Sequence, residues 1–256
     1  MALIQFEAFS DALGKAFSAQ IALPETNRGP FPVLWLLHGA GDNDSGWFRN
    51  TAIERQATRR DLAVVAPAAG MSMYEDMAHG QRYFTHIADE LPALLRRLLP
   101  LSAKREDNFI AGLSMGGMGA LKIAMRRPEQ YEAVCCLSAG HTNYRFHEPK
   151  AGTPRANRYF IAYGEGGPLP GEEETLERAR ALAKDAPCPR VWHACGAQDA
   201  LKSNAHLTRE FFESLPGNPF QYEYHEAPGR HNWDFWAERV PEMLDFLLRG
   251  REERRT

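Results

Sequence analysis

The sequence predicts an α/β fold: a mostly parallel, about eight-stranded sheet with helices on both faces and antiparallel strands at its N-terminal edge. Three observations predict it. Short apolar runs alternate with longer segments of helical period along most of the chain. The first two segments instead alternate apolar and polar residues, as a half-exposed edge hairpin does. The apolar run Phe109-Ile110-Ala111 opens directly into Gly112-Leu113-Ser114-Met115-Gly116, and a helical pattern follows at once.

Taken in order, 4–9 and 15–21 read as the two edge strands, and 33–38 as a strand buried on both faces. A helix is expected over 51–60 and a strand over 62–66. The helix over 85–98 carries Ile87, Leu91, Leu94, Leu95 and Leu98 on one side. Strand 108–111, helix 115–127 and strand 133–138 come next. Residues 141–158 are polar, include Pro149 and Pro154 and show no period, so they read as a loop excursion over the top of the sheet. A charged surface helix over 172–185 precedes strand 190–195, helix 204–215, strand 220–226 and helix 233–248. Ligands on such a sheet bind at the carboxyl ends of its strands.

The 256 residues suit one domain spanning 1–256, ending in a charged tail over 249–256. With 44% apolar and 25% charged residues the composition is that of an ordinary globular protein, and a net charge of −3 gives no reason to expect nucleic acid or an anionic membrane. No basic-then-apolar leader opens the chain, and no apolar stretch is long enough to span a bilayer. The four cysteines have neither disulfide-framework nor zinc spacing. Cys135 and Cys136 are strand neighbours that point to opposite faces. Reduced thiols in a cytoplasmic protein are the expectation. A homo-oligomer is left open.

A strand, Gly-x-Ser-x-Gly and a helix form a nucleophile elbow, the tight turn that exposes a serine in the α/β-hydrolase fold. Glycines two positions either side of Ser114 remove side chains that would collide there. Serine needs a base, and the base needs an acid to fix its tautomer. In this fold the order is serine, acid, histidine. Asp199 directly follows the strand ending at Cys195, and His231 lies in the loop before the last helix. Among rival bases, His193 and His225 fall inside strands and His206 inside a helix, while His141 follows Ser138-Ala139-Gly140 at a strand end and is expected to line the pocket. Among rival acids, Asp185 precedes a strand, Asp234 lies in the last helix and Glu165 lies in a loop.

A negative oxygen forms in acyl transfer. The backbone N–H of Met115 is one expected donor, and the loop His38-Gly39-Ala40-Gly41-Asp42 supplies the second, from Ala40 or alternatively Gly41. His38 reads as a structural hydrogen-bonding residue. Trp47, Met71, Tyr74 and Met115 are candidates for an apolar pocket wall, with core packing as the alternative for each. This chemistry calls for a small-molecule ester and for no cofactor or metal.

The chain resembles the esterase D-like α/β hydrolases, which include S-formylglutathione hydrolases, and within them the tributyrin esterase-type branch. The resemblance rests on Leu36-Leu37-His38-Gly39, Trp47-Phe48-Arg49-Asn50-Thr51 with Ile53-Glu54-Arg55, and Tyr83-Phe84 with Glu90-Leu91-Pro92. It continues through Ala111 to Gly117, then Gly196 with Asp199 and Leu201, and Gly229 with His231, Trp233 and Trp236. It implies a serine carboxylesterase for short acyl chains, with Ser114, Asp199 and His231 as its triad. S-formylglutathione hydrolases usually carry Ser-Gly-Leu-Thr-Cys at the oxyanion loop, where this chain has His38-Gly39-Ala40-Gly41. That departure points away from a glutathione thioester. Carbohydrate acetyl and feruloyl esters share the same machinery. A non-catalytic binding protein of this fold would be expected to lack a triad member.

Overall fold

The computed structural model describes residues 1–26, 29–141, 152–165, 169–185 and 187–251. Eight strands form one sheet: β1 (Ala2–Ser10), β2 (Lys15–Leu23), β3 (Val33–Leu37), β4 (Ala63–Pro67), β5 (Asn108–Leu113), β6 (Ala133–Leu137), β7 (Arg190–Gly196) and β8 (Glu223–Ala227). Their order is β1-β2-β4-β3-β5-β6-β7-β8. The pairs β1/β2 and β2/β4 are antiparallel and the rest parallel, so the N-terminal edge is the antiparallel one.

Strand alternation sorts the side chains into two cores. Val33, Trp35, Leu37, Val65, Ile110 and Val134 face one side. There α4 (Leu91–Leu98), α5 (Met115–Arg126), α7 (Leu169–Asp185) and α8 (Lys202–Glu213) supply Leu95, Leu121, Ala179 and Phe212. Leu34, Leu36, Val64, Phe109 and Ala111 face the other side, against α1 (Gly46–Asn50), α2 (Ile53–Thr58) and α9 (Trp233–Leu247). The central strands are buried along their whole length, which is why they read as continuous apolar runs.

Several elements differ from expectation, each for a local reason. The helix expected over 51–60 is the shorter α2, and α1, which was not expected, precedes it. Thr51 is extended between them, its hydroxyl donating to Trp47 O at 2.6 Å and accepting from Ile53 N–H at 3.1 Å. The helix expected over 85–98 starts earlier, at α3 (Tyr83–Thr85), and passes through a π-helical turn (His86–Glu90) into α4. Leu91 N–H reaches back five residues to His86 O, and Pro92, in the next position, has no N–H to continue an ordinary ladder.

The last strand begins at Glu223 and not at Phe220. Gln221 has a left-handed φ of 44°, and Asn218 Oδ1 accepts from Tyr222 N–H at 2.7 Å, so these residues form a turn. The expected excursion over 141–158 is partly helical. Thr153 Oγ1 accepts from Ala156 N–H at 3.3 Å and caps α6 (Pro154–Tyr163), with Pro154 in its first turn. Residues 142–151 lie outside the described residues, as do 252–256 of the charged tail. The described start of that tail is anchored, Arg249 to Glu223 and Arg251 to Asp107. The charged helix α7 is also more than surface: Thr175 and Ala179 are buried, with α5 as its neighbour.

On α5, Lys122 is 1% exposed. Its ammonium donates to Glu75 and, at 3.1 Å, to Met73 O. Glu75 also accepts from Arg126 at 3.3 Å, so its carboxylate joins two cations of α5, and breaking such a buried pair from one side is costly. Glu75→Ala is therefore expected to lower unfolding stability by about 3 kcal/mol, read as a shift of the urea midpoint. A midpoint equal to that of the wild type would contradict this role for the pair.

Candidate active site

Ser114 stands between β5 and α5 with φ 52° and ψ −121°, a conformation costly for any residue with a side chain. The surroundings hold it there. A Cβ on Gly112 would lie 2.3 Å from Gly116 O, and one on Gly116 would lie 2.4 Å from Leu37 O and 2.6 Å from His38 O. The elbow thus sits in backbone-to-backbone contact with the end of β3. Ser114 N–H donates to Leu137 O at 2.8 Å, which ties the turn to β6 as well.

The structure brings Ser114, His231 and Asp199 together. His231 Nε2 lies 3.0 Å from Ser114 Oγ, and its Nδ1 lies 3.0 Å from each Asp199 carboxylate oxygen. A carboxylate only accepts, so Nδ1 carries the proton and Nε2 is left to accept from the serine hydroxyl. Burial works against the Asp199 charge. Hydrogen bonds from His231, Ser138 and the Leu201 N–H outweigh it and hold the carboxyl below its ordinary value.

Two loops carry these groups, and they are bonded to each other. Ala197 N–H donates to Ala227 O at 2.8 Å, Gln198 N–H to Gly229 O at 2.9 Å, and Gly229 N–H to Gln198 Oε1 at 2.9 Å. A Cβ on Gly196 would lie 2.4 Å from Gly229 O. Beneath them Trp236 packs edge-on against the His231 ring at 5.1 Å and donates from Nε1 to Ser138 Oγ at 2.8 Å. Ser138 in turn bonds Asp199. Sequence reasoning missed Gln198 and Ser138. Gln198 lies beside Asp199 in a loop rich in turn residues, but nothing in the one-dimensional pattern shows which loop it meets.

The other histidines are held elsewhere. His193 is fully buried, with Nε2 2.7 Å from Ala139 O and Nδ1 2.9 Å from Tyr222 Oη, and burial pushes its pKa down to about 4. His206 pairs with Glu226 and His225 with Glu242. His38 Nδ1–H donates to Gly39 O at 2.7 Å and its Nε2 accepts from Ala69 N–H at 2.9 Å. It is a neutral brace whose pKa burial lowers. Of the rival acids, Asp185 ends α7, Asp234 lies in the first turn of α9 and Glu165 is exposed after α6.

Gly41 N–H donates to Met71 Sδ at 3.1 Å. Among the described residues the N–H groups of Ala40 and Met115 have no acceptor. Ala40 is thus a free donor in its loop, and Met115 opens the N-terminus of α5.

A cavity of about 590 Å³ opens over Ser114 and His231. Its lining combines small loop residues (Gly39, Ala40, Gly41), apolar side chains (Leu113, Trp233, Trp236) and polar ones (Asp42, Arg49, Asn50, Asn232). The apolar wall differs from the one expected. Trp47 and Tyr74 are fully buried. Their polar edges are spent on backbone, Trp47 Nε1 donating to Leu37 O at 3.0 Å and Tyr74 Oη to His38 O at 2.9 Å. The Met115 side chain is buried in the core, and Met71 sits behind Gly41 as its acceptor. His141 turns away toward α8, with its N–H and Nδ1 each 2.8 Å from Thr208 Oγ1.

An eight-stranded sheet with a serine elbow, and with a histidine and a carboxylate aligned on that serine, defines a serine hydrolase of the α/β-hydrolase fold. The sequence profile of the family described as "Putative esterase" matches residues 10–247. The chain belongs to this esterase family and is a hydrolase of carboxylic esters. It is 26% identical to an acetyl esterase of Caldicellulosiruptor saccharolyticus over 96% of this chain and 98% of that one. It is similar in structure to the fluorophosphonate-binding serine hydrolase F of Staphylococcus aureus, with TM-score 0.87, 26% identity, and 97% and 99% of the two chains covered. S-formylglutathione hydrolase from the same organism gives TM-score 0.82 and 27% identity over 96% of this chain and 98% of that one.

The lowered Asp199 pKa has a signed consequence. A carboxyl held below its ordinary 3.8 in the folded state contributes stability that is complete above that pH. The contribution is lost as pH falls through the lower folded value. The gap in melting temperature between the wild type and Asp199→Asn should therefore stay level at neutral pH and narrow below pH 3.8. A gap that widens on acidification would overturn this.

Proposed function

We propose that this chain is a serine esterase that cleaves short-chain acyl esters, acetyl to butyryl, through an acyl-enzyme, with Ser114, His231 and Asp199 as its working groups. The reading is carried by the unbroken chain of 3.0 Å hydrogen bonds from Asp199 through His231 to Ser114, open to a cavity on the serine side.

In this mechanism Ser114 Oγ attacks the ester carbonyl carbon as its proton passes to His231 Nε2. The imidazolium is stabilised by Asp199, which keeps its negative charge throughout. The carbonyl oxygen becomes an oxyanion held by the N–H groups of Ala40 and Met115, each worth ~3 kcal/mol in the transition state. Collapse breaks the bond to the alcohol oxygen, which takes the proton from Nε2 and departs. Water then gives a proton to Nε2 and attacks the acyl-serine. The second collapse releases the carboxylic acid and restores Ser114. Nothing in these steps calls on a cofactor.

Two observations support a short acyl group. Trp47 and Tyr74 are packed in the core and add no apolar wall to the cavity over Ser114, and an acetyl esterase is among the similar proteins. The polar lining residues Asp42, Arg49, Asn50 and Asn232 favour a hydroxylated alcohol as leaving group. A carbohydrate acetyl ester is thus the second reading, ahead of a glutathione thioester or a feruloyl ester. We further infer that the chain works as one domain. A cytoplasmic location is supported by its four free thiols. Among the described residues no helix is long and apolar enough to cross a membrane.

Ser114→Ala is expected to keep the fold and lower turnover of an aryl acetate on the order of 10⁶-fold. Retained turnover would sink the assignment. A fluorophosphonate should label the wild type at Ser114 and leave the variant untouched. A folded wild type that takes no label would instead indicate a binding protein. Across aryl acetate, butyrate and octanoate, kcat/KM is expected to drop at least tenfold beyond butyrate, the order set by small changes in an apolar pocket. An octanoate optimum would contradict the short-chain reading.

A further inference from the structure

The two edges of the sheet are built differently. β8 is a five-residue strand carrying Glu223, His225 and Glu226, each bonded to another polar side chain: Arg249, Glu242 and His206. A short, charged edge resists pairing with another chain. β1 has none of these guards. It is nine residues long and pairs with β2 at every residue from Ala2 to Ser10 without a bulge. It contains no proline, lysine or arginine, and Glu7 is its single charge. Among the described residues no strand lies beyond it.

Its two faces also differ. Ile4, Phe6 and Ala8 are half-buried and pack against the core. Leu3, Gln5, Glu7 and Phe9 share the opposite face and are exposed, Leu3 at 54% and Phe9 at 66%.

We infer that the free edge of β1 is the interface of a homodimer, in which β1 pairs antiparallel with β1 of a second copy across a two-fold axis at Phe6. The pattern of the strand selects this occupant. An axis at Phe6 sets Leu3 opposite the partner's Phe9 and Gln5 opposite the partner's Glu7, each pair occurring twice by symmetry. The first is an aliphatic–aromatic pair and the second an amide–carboxylate hydrogen bond, both stabilising when directly opposed. Every pair joins residues of the same parity, so the outward N–H and C=O groups of the two edges meet. Neighbouring registers are worse. An axis at Glu7 puts the two carboxylates against each other, and an axis at Gln5 puts Leu3 against the partner's Glu7.

The pairing would continue the two sheets into one. It would leave both active sites open, because Ser114 follows β5, four strands away and roughly 19 Å at ~4.8 Å per strand.

Sedimentation velocity of the full chain tests this, with wild type, Gln5→Glu and Gln5→Lys compared over a concentration series. The changed side chain is exposed, so circular dichroism should be the same for all three. Wild type is expected to sediment as a dimer, at twice the chain mass of 28.8 kDa. Gln5→Glu sets a carboxylate against Glu7 twice per dimer and should raise the dimer Kd on the order of tenfold. Gln5→Lys sets an ammonium there and should lower Kd, with the gain fading in high salt. Esterase turnover per chain should not change. A wild type that stays monomeric at high micromolar concentration, or a dimer whose Kd ignores both substitutions, overturns the proposal.

Discussion

Where β3 and β5 end, two backbones pass so closely that no side chain fits between them, and the position of Ser114 depends on that contact. Gly116 rests on the carbonyls of Leu37 and His38, and Gly112 on the backbone of Gly116. The left-handed Ser114 is therefore over-determined from both sides. This contact also brings the loop after β3, with its free Ala40 N–H, next to the N-terminus of α5, with its free Met115 N–H. One steric fact thus places Ser114 together with the two free N–H groups.

The carbonyls at the end of β3 are a second constraint of the same kind. The ladder between β3 and β5 ends at Leu37 and Gly112. Beyond it the chain turns away, and Leu37 O and His38 O need donors from outside the sheet. Trp47 and Tyr74 supply them, one from each face. His38, bonded at both ring nitrogens, joins this loop to the one after β4. Burial of a polar group without a partner is costly. These aromatic residues therefore do structural work close to the chemistry without touching the cavity.

That arrangement explains what was legible in the sequence. The central strands were readable because burial on both faces leaves a continuous apolar run. Ser114, Asp199 and His231 were readable because glycines, turn residues and strand ends mark their places in the chain. For Trp47 and Tyr74 pocket wall and core packing both stayed open, because sequence records an aromatic residue near a loop but not whether its polar edge meets a carbonyl or a ligand. The turn at Asn218 to Tyr222 was hidden for a similar reason. Phe220 and Tyr222 look like strand residues, and a side-chain hydrogen bond two positions earlier overrides them. Gln198 left no trace, because its partner Gly229 belongs to a different loop.

The bonds between Gln198 and Gly229 bear on how the site is held. Asp199 and His231 ride on loops tied by hydrogen bonds in both directions. Ser114 rides on a separate turn whose N–H meets Leu137 O, and the next residue, Ser138, bonds Asp199. The end of β6 is thus a common anchor for both turns, and the span that His231 bridges is set by the sheet itself.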